Sequence, residues 1–222
     1  MAFSREWDER YSAGTHLSVW PWSDLVSLVH RFCRSTLASG GDVYELGCGA
    51  GANIPLFLSS KLNYYASEGS QVIVDVLHER YPDFASRIVC CDFTKFIPFD
   101  RQFDLIVDRA SLTHNSSTDV VSSLGLVHDA LKPGSLYIGV DWFSDQHSDF
   151  ALGEWVDPCT RTAIQEGQFC GVGNVHYASE ARMKELFSDF DILHLEHKTS
   201  TRYIPGGGHQ FASWNIVASK PF

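Results

Sequence analysis

Glu45, Gly47, Gly49 and Gly51 alternate through the stretch "YELGCGAG". Glycines spaced this closely let a backbone turn tightly and come near a bound molecule. The same loop also meets a dinucleotide fingerprint, because Gly47, Gly49 and Ala52 satisfy G-x-G-x-x-G/A. Both kinds of ligand need an acid after the next strand to hold a ribose. Glu68, at the end of "YYASE", fills that position for either one.

Glu45 separates the two. A dinucleotide loop normally has an apolar residue there, and a carboxylate near a strand end is costly unless hydrogen-bonded or charge-paired. Loop N–H groups and a cationic ligand would both serve as partners. Residues 1–42 also precede this strand, whereas dinucleotide folds often begin with it. Asp92 and Phe93, in "CCDF", follow a third apolar run. An acid there can accept from an adenine amino group, with an aromatic neighbour completing the contact. His114, in "DRASLTHN", comes after a fourth run and is the first candidate for a general base. Its ordinary pKa of about 6.5 suits proton removal near neutrality; the alternative is a capping or packing histidine. Asp108 and Arg109 end the same run, where they position either an acceptor or the carboxylate of the loop's ligand; the alternative is a local ion pair at the strand end.

The elements that must position these residues follow from periodicity. Residues 24–38 put Leu25, Val26, Leu28, Val29, Phe32 and Leu37 on one helical face, with Ser23 as the N-cap. "VYEL", "NYYAS", "RIVCC", "FDLIVD" and "SLYIGVDWF" read as strands, with helices between them. Asn53 opens the helix after the glycine loop, and Ser70 caps a helix carrying Val72, Ile73, Val76 and Leu77. A further helix carries Val120, Val121, Leu124, Val127 and Leu131 and stops at "KPG". Such alternation predicts a parallel sheet covered on both faces. Residues 143–178 break the pattern, and a stretch this long without clear elements is usually functional or poorly ordered. A helix over 179–188 then precedes two long strands, "DILHLEHKT" and "FASWNIVAS", joined by the glycine-rich "STRYIPGGGHQ". The short join makes these two antiparallel neighbours.

Composition limits the partners. The chain of 222 residues is 44% hydrophobic and 20% charged, suiting one domain with a sizeable core. A net charge of −10 argues against nucleic acid and against anionic membranes. No apolar run spans a bilayer, and the amino-terminal stretch lacks the apolar centre of a signal peptide. The six cysteines form no C-x-x-C and include the adjacent Cys90 and Cys91, which indicates reduced cytoplasmic thiols. No metal-ligand spacing stands out. Trp142, Phe143, Trp155, Phe169, His176 and Tyr177 are candidate pocket residues, as is His209 in "GGGH"; packing and a hairpin tip are the plainer readings.

Taken together, "VYELGCGAGAN", "YYASEGS", "VCCDFTKF", "FDLIVDRASLTH" and "LKPGSLYIGVDWF" resemble class I S-adenosylmethionine (SAM) methyltransferases. The resemblance covers about residues 40–143 and implies a doubly wound seven-stranded sheet of order 3-2-1-4-5-7-6. That sheet is mostly parallel, with its last strand antiparallel and helices on both faces. It implies SAM as the cofactor. Glu45, Gly47, Gly49, Gly51 and Asn53 would lie around the methionine part and Glu68 on the ribose. Asp92 and Phe93 would hold the adenine, and Asp108 would lie beside the sulfonium. "EWDERY" looks like the W-x-x-x-W/Y opening of small-molecule members, making Trp7 and Tyr11 lid residues. Residues 1–40 then form a helical lid region and 143–178 a substrate segment inserted into a single domain. "DRAS" stands where amino-group methylases of nucleic acids carry an N-P-P-Y tetrapeptide, so the expected acceptor is a small molecule with an O, N or S nucleophile. The chain would act as a monomer or homodimer. A SAM-binding protein without turnover and an NAD-dependent oxidoreductase are the alternatives; for the second, no Tyr-x-x-x-Lys pair is present.

Overall fold

The apolar runs become the strands of one mixed sheet in the computed structural model, which describes residues 6–205 and 207–222. Residues 1–5 of the amino-terminal stretch and Gly206 of the glycine-rich join lie outside the described residues. Three short helices come first, α1 (Glu6–Ser12), α2 (Ser23–Phe32) and α3 (Arg34–Ser39). There follow β1 (Asp42–Leu46), α4 (Ile54–Ser59), β2 (Asn63–Glu68), α5 (Gln71–Arg80), β3 (Ile88–Cys90), β4 (Phe103–Arg109), α6 (Ser117–Ala130) and β5 (Leu131–Phe143). After β5 come three short strands, β6 (Glu154–Asp157), β7 (Thr160–Thr162) and β8 (Val175–His176). The chain closes with α7 (Glu180–Leu186), β9 (Asp191–Arg202) and β10 (His209–Ser219).

The main sheet has the order β3-β2-β1-β4-β5-β10-β9. Strands β1 to β5 pair in parallel, and β10 runs antiparallel to both β5 and β9. This is the order and the reversed last strand expected from sequence. Successive strand residues enter opposite layers, so each buried strand feeds two cores. Val43, Leu105 and Val107 pack with Leu25, Val29, Phe57 and Leu77 of α2, α4 and α5. Tyr44, Leu46 and Ile106 pack with Val120, Leu124, Met183 and Phe187 of α6 and α7. Every connection from β1, β2 and β4 leaves at the carboxyl edge, which collects their loops in one place.

Local details differ from the periodic reading. The single helix expected over 24–38 is divided at Cys33, whose backbone leaves the helical region at φ −105°, ψ 29° while its thiol stays buried. The bend lets both Val29 and Leu37 reach the same core. Trp22, not Ser23, is the N-cap of α2 and makes no side-chain cap bond. On α5 the buried face is Ile73, Val74 and Leu77, while Val72 and Val76 are exposed. Ser70 does precede α5, but its hydroxyl donates to Asp8 of α1 instead of capping. Val121 of α6 is exposed. Residues 143–178 are structured: β6, β7 and β8 form an antiparallel sheet of order β6-β7-β8.

Two glycines test this packing with opposite signs. Gly51 has φ +78°, and a Cβ there would stand 2.7 Å from Leu77 Cδ2 and 2.8 Å from Ile54 Cδ1. Gly51→Ala should cost roughly 2 kcal/mol or more through strain and overpacking. A Cβ at Gly125, inside α6, meets nothing within 4 Å. Gly125→Ala should therefore add about 0.5–1 kcal/mol. Urea denaturation measures both, and equal effects of the two substitutions would contradict the packing described.

Candidate active site

The collected loops surround a cavity of about 420 Å³, a size typical of small-molecule sites. One half of it is polar. Glu45, at the end of β1, is buried; Oε1 accepts from Asn53 Nδ2 at 2.7 Å and Oε2 from Tyr64 OH at 2.6 Å. Burial raises its carboxyl to about 7 despite these two bonds. The loop N–H groups expected on Glu45 go to Glu68 instead. Gly49, Gly69 and Ser70 donate to Glu68 at 2.8, 2.9 and 3.1 Å. Burial pushes Glu68 upward and these three N–H groups hold it down. A carboxylate has about four lone-pair sites, so Glu68 keeps acceptor capacity toward the cavity it lines.

The glycines divide by role. Gly47 has φ +58°, and a Cβ there would stand 2.4 Å from Ser111 Cβ, so only glycine lets the loop pass the end of β4. Gly49, at φ +52°, lies under the Tyr11 hydroxyl, 3.2 Å from where a Cβ would stand. Both line the cavity. Gly51, expected beside the ligand, does not line it; its missing side chain makes room for Leu77 and Ile54. Asn53 Oδ1 also accepts from the Trp22 N–H at 3.3 Å, joining the amino-terminal segment to the loop. Asp92 Oδ1 accepts from Thr94 N–H and Oγ1–H at 3.0 and 2.6 Å, a turn that sets Phe93 on the wall beside Gly47.

Helix α1 covers this half with Trp7 and Tyr11, both on the wall. It is fastened on two sides. Arg10 donates to Gly171 O at 3.2 Å and to Cys170 O, and Asp8 accepts from Ser70.

The other half is aromatic. The His114 ring meets Trp7, Phe143 and Phe169 edge-on, with centroids 5.0, 5.6 and 6.4 Å away. Its Nδ1–H donates to Asn174 O at 3.0 Å, which leaves the Nε2 lone pair available. Burial lowers its pKa to about 4, with Arg109, His16 and Arg10 adding to the fall and the Asn174 carbonyl opposing it. The value near 6.5 assumed from sequence does not hold in this setting. Asp108 is fully buried and does not line the cavity. Its carboxylate accepts from the N–H groups of Ser111 and Leu112 at 2.9 and 3.1 Å, shaping the turn after β4. Arg109 does line the cavity, but its partner is Asp141 at 3.0 Å, not Asp108. Its guanidinium lies 3.7 Å from the centroid of Trp22.

Of the six residues expected to line a substrate pocket, Phe143 and Phe169 do so. Trp142 is enclosed in the sheet core and donates to Tyr137 OH at 3.1 Å. Trp155 is exposed beneath Arg161, and His176 Nδ1 faces Thr160 Oγ1 at 3.1 Å. Tyr177 packs behind Phe143 and Phe169. His209 lies off the cavity, with Nε2 2.9 Å from Asp149 Oδ1. His147, Asp149 and His209 form a group of metal-ligand type, their ligand atoms within 4.8 Å of one another. Their bonds serve structure: Asp149 N–H donates to His147 Nδ1 and Phe169 N–H to Asp149 Oδ2, at 3.0 and 2.9 Å. This network ties the start of β10 to the segment that carries Phe169. His16, Trp22, Val172 and Phe211 also line the cavity and were not anticipated. Each comes from a loop or a strand end, where periodicity carries no signal. All six cysteines are free.

A family model for a methyltransferase domain matches residues 43–134. No curated protein matches the sequence. Among solved structures, TehB from Haemophilus influenzae superposes with a TM-score of 0.64 at 16% identity, over 96% of this chain and 66% of that one. A SAM-dependent methyltransferase from Clostridium acetobutylicum gives 0.63 at 16% identity, over 97% of this chain and 96% of that one. The 1,6-didemethyltoxoflavin-N1-methyltransferase of Burkholderia thailandensis, solved with that compound and S-adenosylhomocysteine (SAH), gives 0.58 at 19% identity, over 90% and 87%. These likenesses establish the fold. Among the described residues, no helix is long and apolar enough to cross a membrane.

Glu45 leaves a measurable trace in stability. Its folded-state pKa of about 7 lies above its ordinary 4.5. Between these values the folded chain keeps a proton that the unfolded chain has lost, so stability falls as pH rises through that window. Glu45→Gln should reduce the fall, as measured by denaturation from pH 4.5 to 7.5. An unchanged slope would contradict the buried, protonated Glu45.

Proposed function

We propose that this chain, which carries a methyltransferase domain on the class I SAM-dependent methyltransferase fold, binds SAM and methylates a small-molecule acceptor in the cytoplasm. The observation that carries the reading is the junction of the two loops at Glu68, with N–H groups of both on one carboxylate beside a glycine-lined wall. The residues present fit the cofactor. Glu68 has acceptor capacity for ribose hydroxyls, Asp92 and Phe93 offer an acid and a ring for adenine, and Glu45 with Asn53 would hold the methionine part. Trp7 and Tyr11 act as the lid that excludes water.

When bound, SAM supplies a methyl group on a sulfonium; the acceptor's lone pair bonds to the methyl carbon as the C–S bond breaks, and that electron pair leaves on a neutral thioether. The chain's task is alignment and desolvation. His114 is held in one tautomer by Asn174, with Nε2 available to take the acceptor's proton. A base whose pKa has fallen to about 4 cannot deprotonate an alkylammonium efficiently. It can take the proton of a hydroxyl, which becomes strongly acidic as the oxygen gains the methyl group. The depressed pKa therefore favours an oxygen nucleophile over a protonated amine. It also keeps His114 neutral throughout the physiological range.

Calorimetry should show SAM binding by the wild type, weakened at least tenfold by Glu68→Ala because charge-assisted bonds are lost. With an acceptor found by a labelled-SAM screen, His114→Ala should lower kcat about 10²-fold with SAM affinity little changed. The wild-type kcat should show no His114 inflection between pH 6 and 8. Tight NAD binding with no SAM signal would overturn the reading, and a near-wild-type rate for His114→Ala would assign that residue to packing.

A further inference from the structure

The charges on the cavity wall are segregated. The acidic side chains that line it, Glu45, Glu68 and Asp92, all belong to the polar half. Among the described residues, the aromatic half has Arg109 as its charged side chain, accompanied by His16 and His114. Both histidines have pKa values lowered chiefly by burial and further by Arg10 and Arg109, as expected in a positive field. A cationic acceptor would find no counter-charge there.

Arg109 is also held rigidly. Its guanidinium stacks on Trp22, and it pairs with Asp141 Oδ2 at 3.0 Å. Asp141 itself adopts φ +57°, a conformation costly for any residue with a side chain. Its N–H donates to Asn215 Oδ1 at 3.2 Å, and its Oδ1 accepts from the Ser213 hydroxyl at 3.2 Å. The strained backbone, fixed from β10, thus sets the carboxylate that orients the guanidinium. Asp141 engages Nη2, and the Arg109 side chain, 29% exposed, lines the cavity with the rest of its guanidinium donors still to be satisfied by a ligand or solvent. A planar fork suits a carboxylate. Asp141 already offsets part of the positive charge, which favours a monoanion over a dianion.

We propose that the acceptor is a flat aromatic carboxylate. Its anion docks on Arg109, and its ring lies among Trp7, His114, Phe143 and Phe169. This rests on the methyltransferase reading and adds the substrate class. The methionine carboxylate of the cofactor has the same chemistry as the docking group, so the test must separate the two.

The test uses the full chain saturated with SAH, titrated calorimetrically with benzoate, benzamide and benzylamine. The wild type should bind benzoate about tenfold or more tightly than either of the others. Arg109→Gln should abolish that preference and leave SAH affinity within about threefold. Arg109→Lys, which keeps the charge without the fork, should recover part of it and guards against misfolding of the glutamine variant. Equal binding of benzoate and benzamide by the wild type overturns the proposal. So does an Arg109→Gln protein that loses SAH affinity while keeping the benzoate preference, since Arg109 would then serve the cofactor. Failure of the wild type to bind SAH at all overturns the methyltransferase reading, and this proposal falls with it.

Discussion

A buried carboxylate must be satisfied, and the satisfaction of Glu68 organises the rest of the site. Its oxygens take the N–H of Gly49 from the loop after β1 and those of Gly69 and Ser70 from the loop after β2. Two parallel neighbours therefore deliver their loops to a single anion at the carboxyl edge of the sheet. Gly47 can then pass Ser111 at a distance no side chain would allow, which brings the end of β4 to the same place. Helix α1 closes over the junction because Asp8 and Arg10 find partners on either side of it.

The cavity that results has two electrostatic halves. The polar half holds its carboxylates on fixed donors and is where the proposed nucleoside cofactor would sit. Among the described residues, the aromatic half has no acid on its wall, a histidine kept neutral by burial, and one arginine oriented by a strained aspartate. Methyl transfer from a sulfonium asks little covalent chemistry of a protein. A dry, aligned cavity with a weak base near the acceptor is sufficient.

Much of this was readable from the residues alone. The parallel sheet is legible in the alternation of apolar runs and helical patterns, while the order of its strands is what the resemblance to class I SAM methyltransferases implied. Glu45, Gly47, Gly49, Asn53, Glu68, Asp92 and Phe93, marked by their positions together with that resemblance, do line the cavity. Spacing does not tell which donor goes to which acid, so Glu45 was given N–H groups that belong to Glu68. It also does not distinguish Gly47, which faces the cavity, from Gly51, which faces α5; both have positive φ for different neighbours. Asp108 carries an acid on the expected strand, yet the N–H groups of Ser111 and Leu112, three and four residues later, capture it. Trp22, Phe211 and Asp141 are brought in by tertiary contacts across the sheet, which no local pattern encodes.

A crystal structure of the chain with SAH bound tests the role of Glu68 most directly. The adenosyl group should lie in the cavity, with the Glu68 carboxylate within about 2.5–2.7 Å of both ribose hydroxyls and the thioether sulfur facing the half that holds His114. A nucleoside bound elsewhere, or a Glu68 that contacts only the loop N–H groups while SAH occupies the cavity, would contradict it.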